Sequence, residues 1–379
     1  MPRGSSRAAP SAGRLLLRRA RRARRRPAAG HGATRLARSG RRLRAGVRSV
    51  AGRQGHLAPR GAGARRVPGP PRPRGNRTRR LREAPGLTPM GEAQTPWTVR
   101  SLLTWGRDWL ARRGVDNPRL DAELIVAHAL GCDRVRLYTE FDKPIAAEEL
   151  SRARPLFERR GQREPVAYIL GVKEFYGRPF KVGPGVFIPR PETELLVQVA
   201  LEGLPRGGPL HILDLCGGSG AVGVTVAAER PEAQVDVVDI ADPAVAAARE
   251  NAEAHAKGRV TVLRGDLYAA LPSHRRYDAV LANPPYVGTH EHGRLAPDIV
   301  QHEPHEALFA GEQGLGVVRR VVEDAPRWLV PGGLFATEID SGQAAAVLAL
   351  CAGAGLRGAG VVRDLAGLER HVVARACRD

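Results

Sequence analysis

Three absences bound what this 379-residue chain can be. Cysteine is scarce: Cys132, Cys216, Cys351 and Cys377 are scattered, with no C-x-x-C pair. That spacing supports neither a disulfide framework nor a zinc site, and it fits a reducing, cytoplasmic compartment. Long apolar runs are missing too, none approaching the ~20 residues that span a bilayer. Lysine and acid are nearly missing from the first quarter. Residues 1–96 hold 26 Arg, no Lys, and only Glu83 and Glu92 as acids. Residues 97–379 hold 34 basic and 37 acidic residues. The net charge of +21 therefore belongs to the first quarter alone and says nothing about the rest.

Residues 1–89 are mostly Arg, Gly, Pro and Ala, too poor in hydrophobic residues to form a core, so a disordered segment is expected. Three readings stay open: an upstream extension of a chain whose true start is Met90, a basic arm for RNA or ribosomes, and an Arg-rich transit peptide. The only two methionines are Met1 and Met90, and a convincing domain begins directly after Met90. Any nucleic-acid contact is expected only through this segment.

From 90 to about 170 the pattern is helical. Leu102, Leu103, Trp105, Trp109 and Leu110 fall near a 3.6 period. "NPRLDAELIVAHALG" opens on Asn-Pro, a cap and first turn, and stops at Gly131. "AAEELSRARPLFERRG" is a third helix, which Pro155 should kink or break. Residues 171–209 read as a β-hairpin followed by a linker helix. From 210 to 379, apolar strands ("LHILDLC", "QVDVVDI", "VTVLRGD", "YDAVLAN", "GLFATEI") alternate with amphipathic helices, and two strand-like segments follow. The fold class is α/β, with a parallel Rossmann-like sheet and helices on both faces.

Chemistry gathers where strands end. "HILDL" runs into "CGGSGAVG", a Gly-rich turn that lets backbone approach a ligand at the carboxyl edge of the sheet. Gly218 to Gly223 satisfies G-x-G-x-x-G, which alone would suggest a dinucleotide. Three carboxylates argue otherwise. Asp214 just before the turn would repel a pyrophosphate and suits an ammonium group, directly or through water. Asp239, ending the next strand, can accept from both hydroxyls of a ribose, and Asp266 is placed to meet an adenine edge. Together they favour S-adenosylmethionine, which has no phosphate and a positive sulfonium.

"NPPY" ends the fourth strand, at the switch point beside the first. Asn283 offers a side-chain acceptor, Pro284 and Pro285 stiffen the turn and aim its carbonyls, and Tyr286 can stack on a planar group. The motif reads as a receptacle for a planar amide or amino group. His290, His292, His302 and His305 follow in a segment that reads as a loop contacting substrate. Their spacing matches no standard metal set, so no metal is expected.

These segments, with "EPVAYILGVKEFYG", "FIPRPETELLV", "HEPHEALFAGEQGL", "PGGLFATEI" and "RDLAGLERHVV", make the chain from about 90 onward resemble the release factor glutamine N5-methyltransferases, the PrmC/HemK family. The resemblance implies a seven-stranded class I methyltransferase sheet behind a helical substrate-recognition domain. It implies S-adenosylmethionine as methyl donor and the Gln of the Gly-Gly-Gln motif of release factors as acceptor, with the enzyme a monomer. By position, Cys216, Gly217, Gly218, Ser219 and Gly220 would touch the methionine part, Asp239 the ribose and Leu267 the adenine region. Asn283, Pro284, Pro285 and Tyr286 would hold the glutamine, with Phe187, Arg190 and Thr193 lining the site. Cys216 and Gly217 stand where the family often has Gly and Thr, and Asp340 where it commonly has Gly. The rival readings are methylation of a ribosomal-protein glutamine, methylation of adenine in nucleic acid, and a non-enzymatic nucleic-acid binder.

Overall fold

The computed structural model describes residues 96–378, so the readings of residues 1–89 lie outside the described residues. The helical region begins with α1 (Val99–Ala111), capped by a reciprocal pair in which Thr98 Oγ1 accepts from Ser101 N–H and Ser101 Oγ from Thr98 N–H. α1 buries Val99, Leu102 and Leu110. It crosses α4 (Ala147–Gly161) at Gly106, where a Cβ would lie 2.5 Å from the Phe157 ring, so only glycine permits that approach. α2 (Pro118–Leu130) ends at Gly131 in the left-handed conformation, φ 64°. Asn117 precedes it, but contrary to expectation its side chain makes no capping bond. α3 (Arg134–Thr139) and α5 (Val166–Leu170) complete the region.

Pro155 does not break α4. It sits on the exposed face, between the buried anchors Ala153 and Phe157. The carbonyl it deprives of an intrahelical donor belongs to Ser151, itself an exposed residue, and a solvated carbonyl lowers the hydrogen-bond part of the proline cost.

A two-stranded hairpin, β1 (Val172–Phe175) and β2 (Arg178–Lys181), leads through a 3₁₀ turn at Pro191–Thr193 into α6 (Glu194–Gly203). Then the main sheet is laid down: β3 (Leu210–Leu215), α7 (Ala221–Glu229), β4 (Ala233–Asp239), α8 (Asp242–Ala256), β5 (Val260–Arg264), β6 (Tyr277–Ala282), α9 (Pro297–His302), α10 (Gly316–Trp328), β7 (Leu329–Glu338), α11 (Ala344–Gly353), β8 (Arg357–Arg363) and β9 (Glu369–Arg375). The seven strands stand in the order β5-β4-β3-β6-β7-β9-β8. The first five are parallel; β9 is antiparallel to both β7 and β8.

Burial follows the period of two that strand geometry imposes. Ile212, Val235, Val237 and Leu281 pack with α6, α7 and α8 on one face. Leu213, Leu215, Val238 and Val280 pack with α10 and α11 on the other. Each such side chain contributes about 2 kcal/mol relative to exposure. A one-residue slip would move every strand-end residue to the wrong face, so this alternation fixes where β3, β4 and β6 deliver their last side chains.

Candidate active site

Strand order reverses at β3, whose neighbours are β4 and β6, and the crevice above their carboxyl ends is where such sheets bind ligands. The turn after β3 is forced into left-handed backbone at Cys216 (φ 55°), Gly218 (φ 55°) and Gly220 (φ 77°). At Gly217 a Cβ would lie 2.3 Å from Val237, so the loop rests on β4 without a gap.

Two carboxylates hold this loop. Asp239 Oδ2 accepts from Gly218 N–H at 2.8 Å, and its Oδ1 from Ala241 N–H at 2.9 Å. Asp214 Oδ2 accepts from Gly223 N–H at 2.8 Å. Asp214 is 1% exposed and does not line the cavity. Of the two ways Asp214 was expected to meet an ammonium group, directly or through water, its burial excludes the direct one; it pins the first turn of α7 from beneath the loop. Burial pushes its carboxyl up to about 7, with the Gly223 N–H opposing and the Asp239 charge adding. Burial also raises Asp239, against its backbone donors. The Cys216 thiol is raised above its ordinary range by burial and then by the neighbouring carboxylates, so it stays protonated.

Above the loop lies a cavity of about 250 Å³. Phe187, Cys216, Gly218, Asp239, Asp266, Leu267, Asn283 and Pro285 all line it. Gly217, Ser219 and Gly220 form the loop behind that wall. Leu267 takes a left-handed conformation, φ 50°. Asp266 is ion-paired at 2.7 Å with Arg320, which also lines the cavity. The lining thus combines apolar walls, exposed loop backbone and carboxylates. It suits a nucleoside carrying positive rather than negative charge, and S-adenosylmethionine fits that description.

A second, adjoining cavity of about 120 Å³ is lined by Phe187, Arg190, Asn283, Pro284, Tyr286, Leu295 and Ile299, among others. Phe187, Asn283 and Ala307 line both cavities. Thr193 lines neither. It is 2% exposed, and its Oγ1 accepts from Asn283 Nδ2 at 3.3 Å. That bond fixes the amide with its nitrogen turned inward, leaving Oδ1 without a protein donor among the described residues.

The rest of the NPPY turn is braced from afar. Gln343 Nε2 donates to the Tyr286 carbonyl at 2.9 Å, and the Tyr286 hydroxyl donates to Glu338 Oε1 at 3.3 Å. Burial, with the Glu338 charge, raises the phenol well above its ordinary range. Arg190 stands 4.9 Å from the Phe187 ring centroid and pairs with the buried Glu303. Glu303 Oε2 also accepts from Ile188 N–H at 3.1 Å, so one carboxylate holds the whole Phe187–Arg190 wall.

Sequence reasoning missed several of these supports. Asn251 on α8 donates to the carbonyls of Ser219 and Lys181, tying the loop to the hairpin. Arg160 joins Asp121 (2.6 Å) to Asp298 (2.7 Å), anchoring α9 to the helical region. Glu303 was visible only as part of "HEPHEAL". The segment expected to be a loop carries a 3₁₀ turn (Thr289–Arg294) and α9. Within it, His292 stacks on Phe309 and His305 bonds the Val300 carbonyl. Among the described residues no three His, Cys, Asp or Glu converge on a metal position.

A seven-stranded sheet with this order, a Gly-rich turn after β3, and a carboxylate at the end of β4 above a shared crevice define a class I, S-adenosylmethionine-dependent methyltransferase. The comparisons narrow the class. Residues 101–171 match the PrmC N-terminal domain model and residues 180–320 the methyltransferase small domain model. The release factor glutamine methyltransferase of Geobacter sulfurreducens is 42% identical over 286 residues, covering 76% of this chain and 99% of that protein. Those of Bordetella pertussis and Neisseria gonorrhoeae are 41% and 42% identical, over 71% and 67% of this chain and 98% and 92% of theirs. The chain belongs to the release factor glutamine methyltransferase family.

Proposed function

We propose that this protein transfers a methyl group from S-adenosylmethionine to the side-chain amide nitrogen (N5) of the glutamine in the Gly-Gly-Gln motif of peptide chain release factors. The observation that carries the reading is the position of Asn283 in the common wall of two cavities, one suited to a cationic nucleoside and one to a flat polar group.

A bound S-adenosylmethionine supplies an electrophilic methyl on a positive sulfur; the chain's own residues do the rest. An amide nitrogen is a poor nucleophile because its lone pair is delocalised into the carbonyl. Placing it in line, with both N–H bonds held, is what a rigid site adds. Asn283 Oδ1 accepts one N–H and the Pro284 carbonyl accepts the other. Thr193 keeps the asparagine amide from flipping. Pro284 and Pro285 keep that carbonyl aimed, and Tyr286 and Phe187 enclose the flat group and exclude water. No strong base is needed beforehand, since the nitrogen becomes acidic only as it gains the methyl; its proton then leaves to solvent.

On the donor side, Asp239 is assigned to the ribose, Leu267 and Asp266 to the adenine, and the loop Cys216–Gly220 to the methionine part, with Asp214 beneath. The helical region, residues 90–170, is assigned to release-factor recognition. In support, Arg160 and Asp298 connect it to α9, whose Ile299 lines the acceptor cavity. A monomeric enzyme is part of the proposal. No helix among the described residues is long and apolar enough to cross a membrane; a cytoplasmic site of action is part of the proposal.

The test incubates the full chain with methyl-labelled S-adenosylmethionine and a release factor, beside the same factor with its Gly-Gly-Gln glutamine changed to alanine. Label is expected on the first alone. Label on both, or on neither, overturns the reading, and label on naked DNA or RNA in its place favours adenine methylation.

A further inference from the structure

Beneath the acceptor cavity lies a buried polar group that the mechanism above does not use. β7 and β9 pair antiparallel with Glu338 directly opposite His371. Residues so paired put their side chains on one face of the sheet as neighbours. Glu338 is 2% exposed and His371 0%. Glu338 Oε1 receives the Tyr286 hydroxyl at 3.3 Å, and its Oε2 has no hydrogen-bond partner. Neither ring nitrogen of His371 has one, yet His371 Nε2 stands 3.6 Å from Glu338 Oε2. A closure of about 0.5 Å makes this a hydrogen bond. Glu338 Oε2 and His371 Nε2 are buried, face each other and have no other partner, which strongly favours that bond, since nothing else offsets the lost hydration of these two atoms.

We propose that His371 is a positioning residue for the acceptor site: its Nε2–H donates to Glu338, which thereby presents its other oxygen to the Tyr286 hydroxyl and fixes the tyrosine ring as the wall against the substrate amide. The chain runs His371, Glu338, Tyr286, from the sheet interior to the cavity. The other charged groups near Tyr286 are the Arg190 and Arg370 guanidiniums. Arg190 is committed to Glu303 and Arg370 to Asp364, so His371 is the group placed to complete Glu338. The inference rests on the acceptor-side reading of the second cavity.

Three substitutions in the full chain separate this role from simple packing. Gln places its amide nitrogen near the Nε2 position, Asn near the Nδ1 position, and Leu has no donor. H371Q should keep the KM for a release factor within about threefold of the unmodified chain, while H371N and H371L raise it about tenfold, a change of the size one buried hydrogen bond supports. The Kd for S-adenosylmethionine should stay within about twofold in all three, because the donor cavity shares none of these groups. In a Y286F background the difference between H371N and H371Q should vanish. Equal losses for H371N and H371Q, or a difference that persists in Y286F, would overturn the proposal. A readout without substrate keeps the test independent of the proposed function. The ring signals of 13C-labelled Tyr286, assigned by their loss in Y286F, should move in H371N and return in H371Q. If release-factor methylation itself fails, the functional reading falls, and the ring signals still decide whether His371 positions Tyr286.

Discussion

The two cavities that meet at Asn283 are built in different ways. The donor side centres on backbone: a turn forced by left-handed residues, with carboxylates from the ends of β3 and β4 accepting from main-chain N–H groups at most 21 residues away, to which Asn251 and the Arg320–Asp266 pair add long-range ties. The acceptor side is made of side chains that reach across the chain: Asn283 to Thr193 over 90 positions, Glu303 to Ile188 over 115, Tyr286 to Glu338 over 52. A backbone-built cavity recognises one invariant cofactor. A wall of side-chain latches can be reset one residue at a time, which suits the half of the site that must tell one acceptor from another.

The sharpest way to break the contrast is at the shared wall. Asn283→Ala removes an acceptor to the substrate amide and its orienting bond to Thr193. Turnover on the release factor should fall about 100- to 1,000-fold, the scale of losing near-attack positioning. The Kd for S-adenosylmethionine, measured by calorimetry, should change by less than about fivefold, since the donor cavity keeps its loop. Near-normal turnover would remove the amide clamp. Next in size, Asp239→Ala strips the acceptor from Gly218 and Ala241 N–H. Cofactor affinity should drop about 100-fold, as expected for losing the charge-assisted hydrogen bonds to the two ribose hydroxyls assigned to Asp239. Asp239→Asn, which keeps one acceptor, should fall between. An Asp239→Ala protein that binds the cofactor normally would refute the backbone-built description.

The same contrast explains which parts of the site could be read before the fold was known. Asp239, Cys216–Gly220 and Asn283–Tyr286 were legible because each is a local signal, a turn or strand end whose chemistry follows from its own neighbours. The strands and helices were legible for the same reason, since periods of 2 and 3.6 are local. Glu303, Glu338 and His371 depend on register between segments far apart, and no short pattern encodes their roles; Thr193 was found through its segment, but its place behind Asn283 rather than in the lining was not. Pro155 and Asn117 depended on context in another way. Propensity predicted a kink or break and a cap; tertiary packing kept α4 continuous through Pro155, and Asn117 makes no side-chain capping bond. For Asp214 the strand-end position was legible, but its bond inward from Gly223 N–H was not.

Glu303 tests the acceptor side on a smaller scale. Glu303→Ala leaves the Ile188 N–H buried without an acceptor and Arg190 without its partner. Arg190 is partly solvated, so the cost should be about 2 kcal/mol in unfolding free energy rather than the full penalty of a broken buried pair. The KM for the release factor should rise with it while cofactor affinity holds. Glu303→Gln, which still accepts from Ile188, should recover most of the stability. A substitution that weakened cofactor binding as much as substrate binding would show that the two sides are not independent.

The smallest effect concerns Asp214, and its sign is set by where the proton goes. In the folded chain burial lifts this carboxyl to about 7, from 3.8 when unfolded. Between those values the folded state keeps a proton that the unfolded chain has released. Stability from this group is therefore fully present below roughly pH 4 and lost as pH rises to about 7, after which the deficit is constant. Asp239, also raised by burial, adds to the same trend. Asp214→Asn retains an oxygen for Gly223 N–H and cannot ionise. Its Tm relative to the unmodified chain should climb between about pH 4 and 7 and level off above. Saturating S-adenosylmethionine brings positive charge beside these carboxylates and favours their ionised forms, so it should flatten the unmodified chain's decline. A difference in Tm that does not vary with pH would mean that Asp214 is already ionised in the folded protein, leaving Gly223 N–H and the loop to offset its charge without the cofactor.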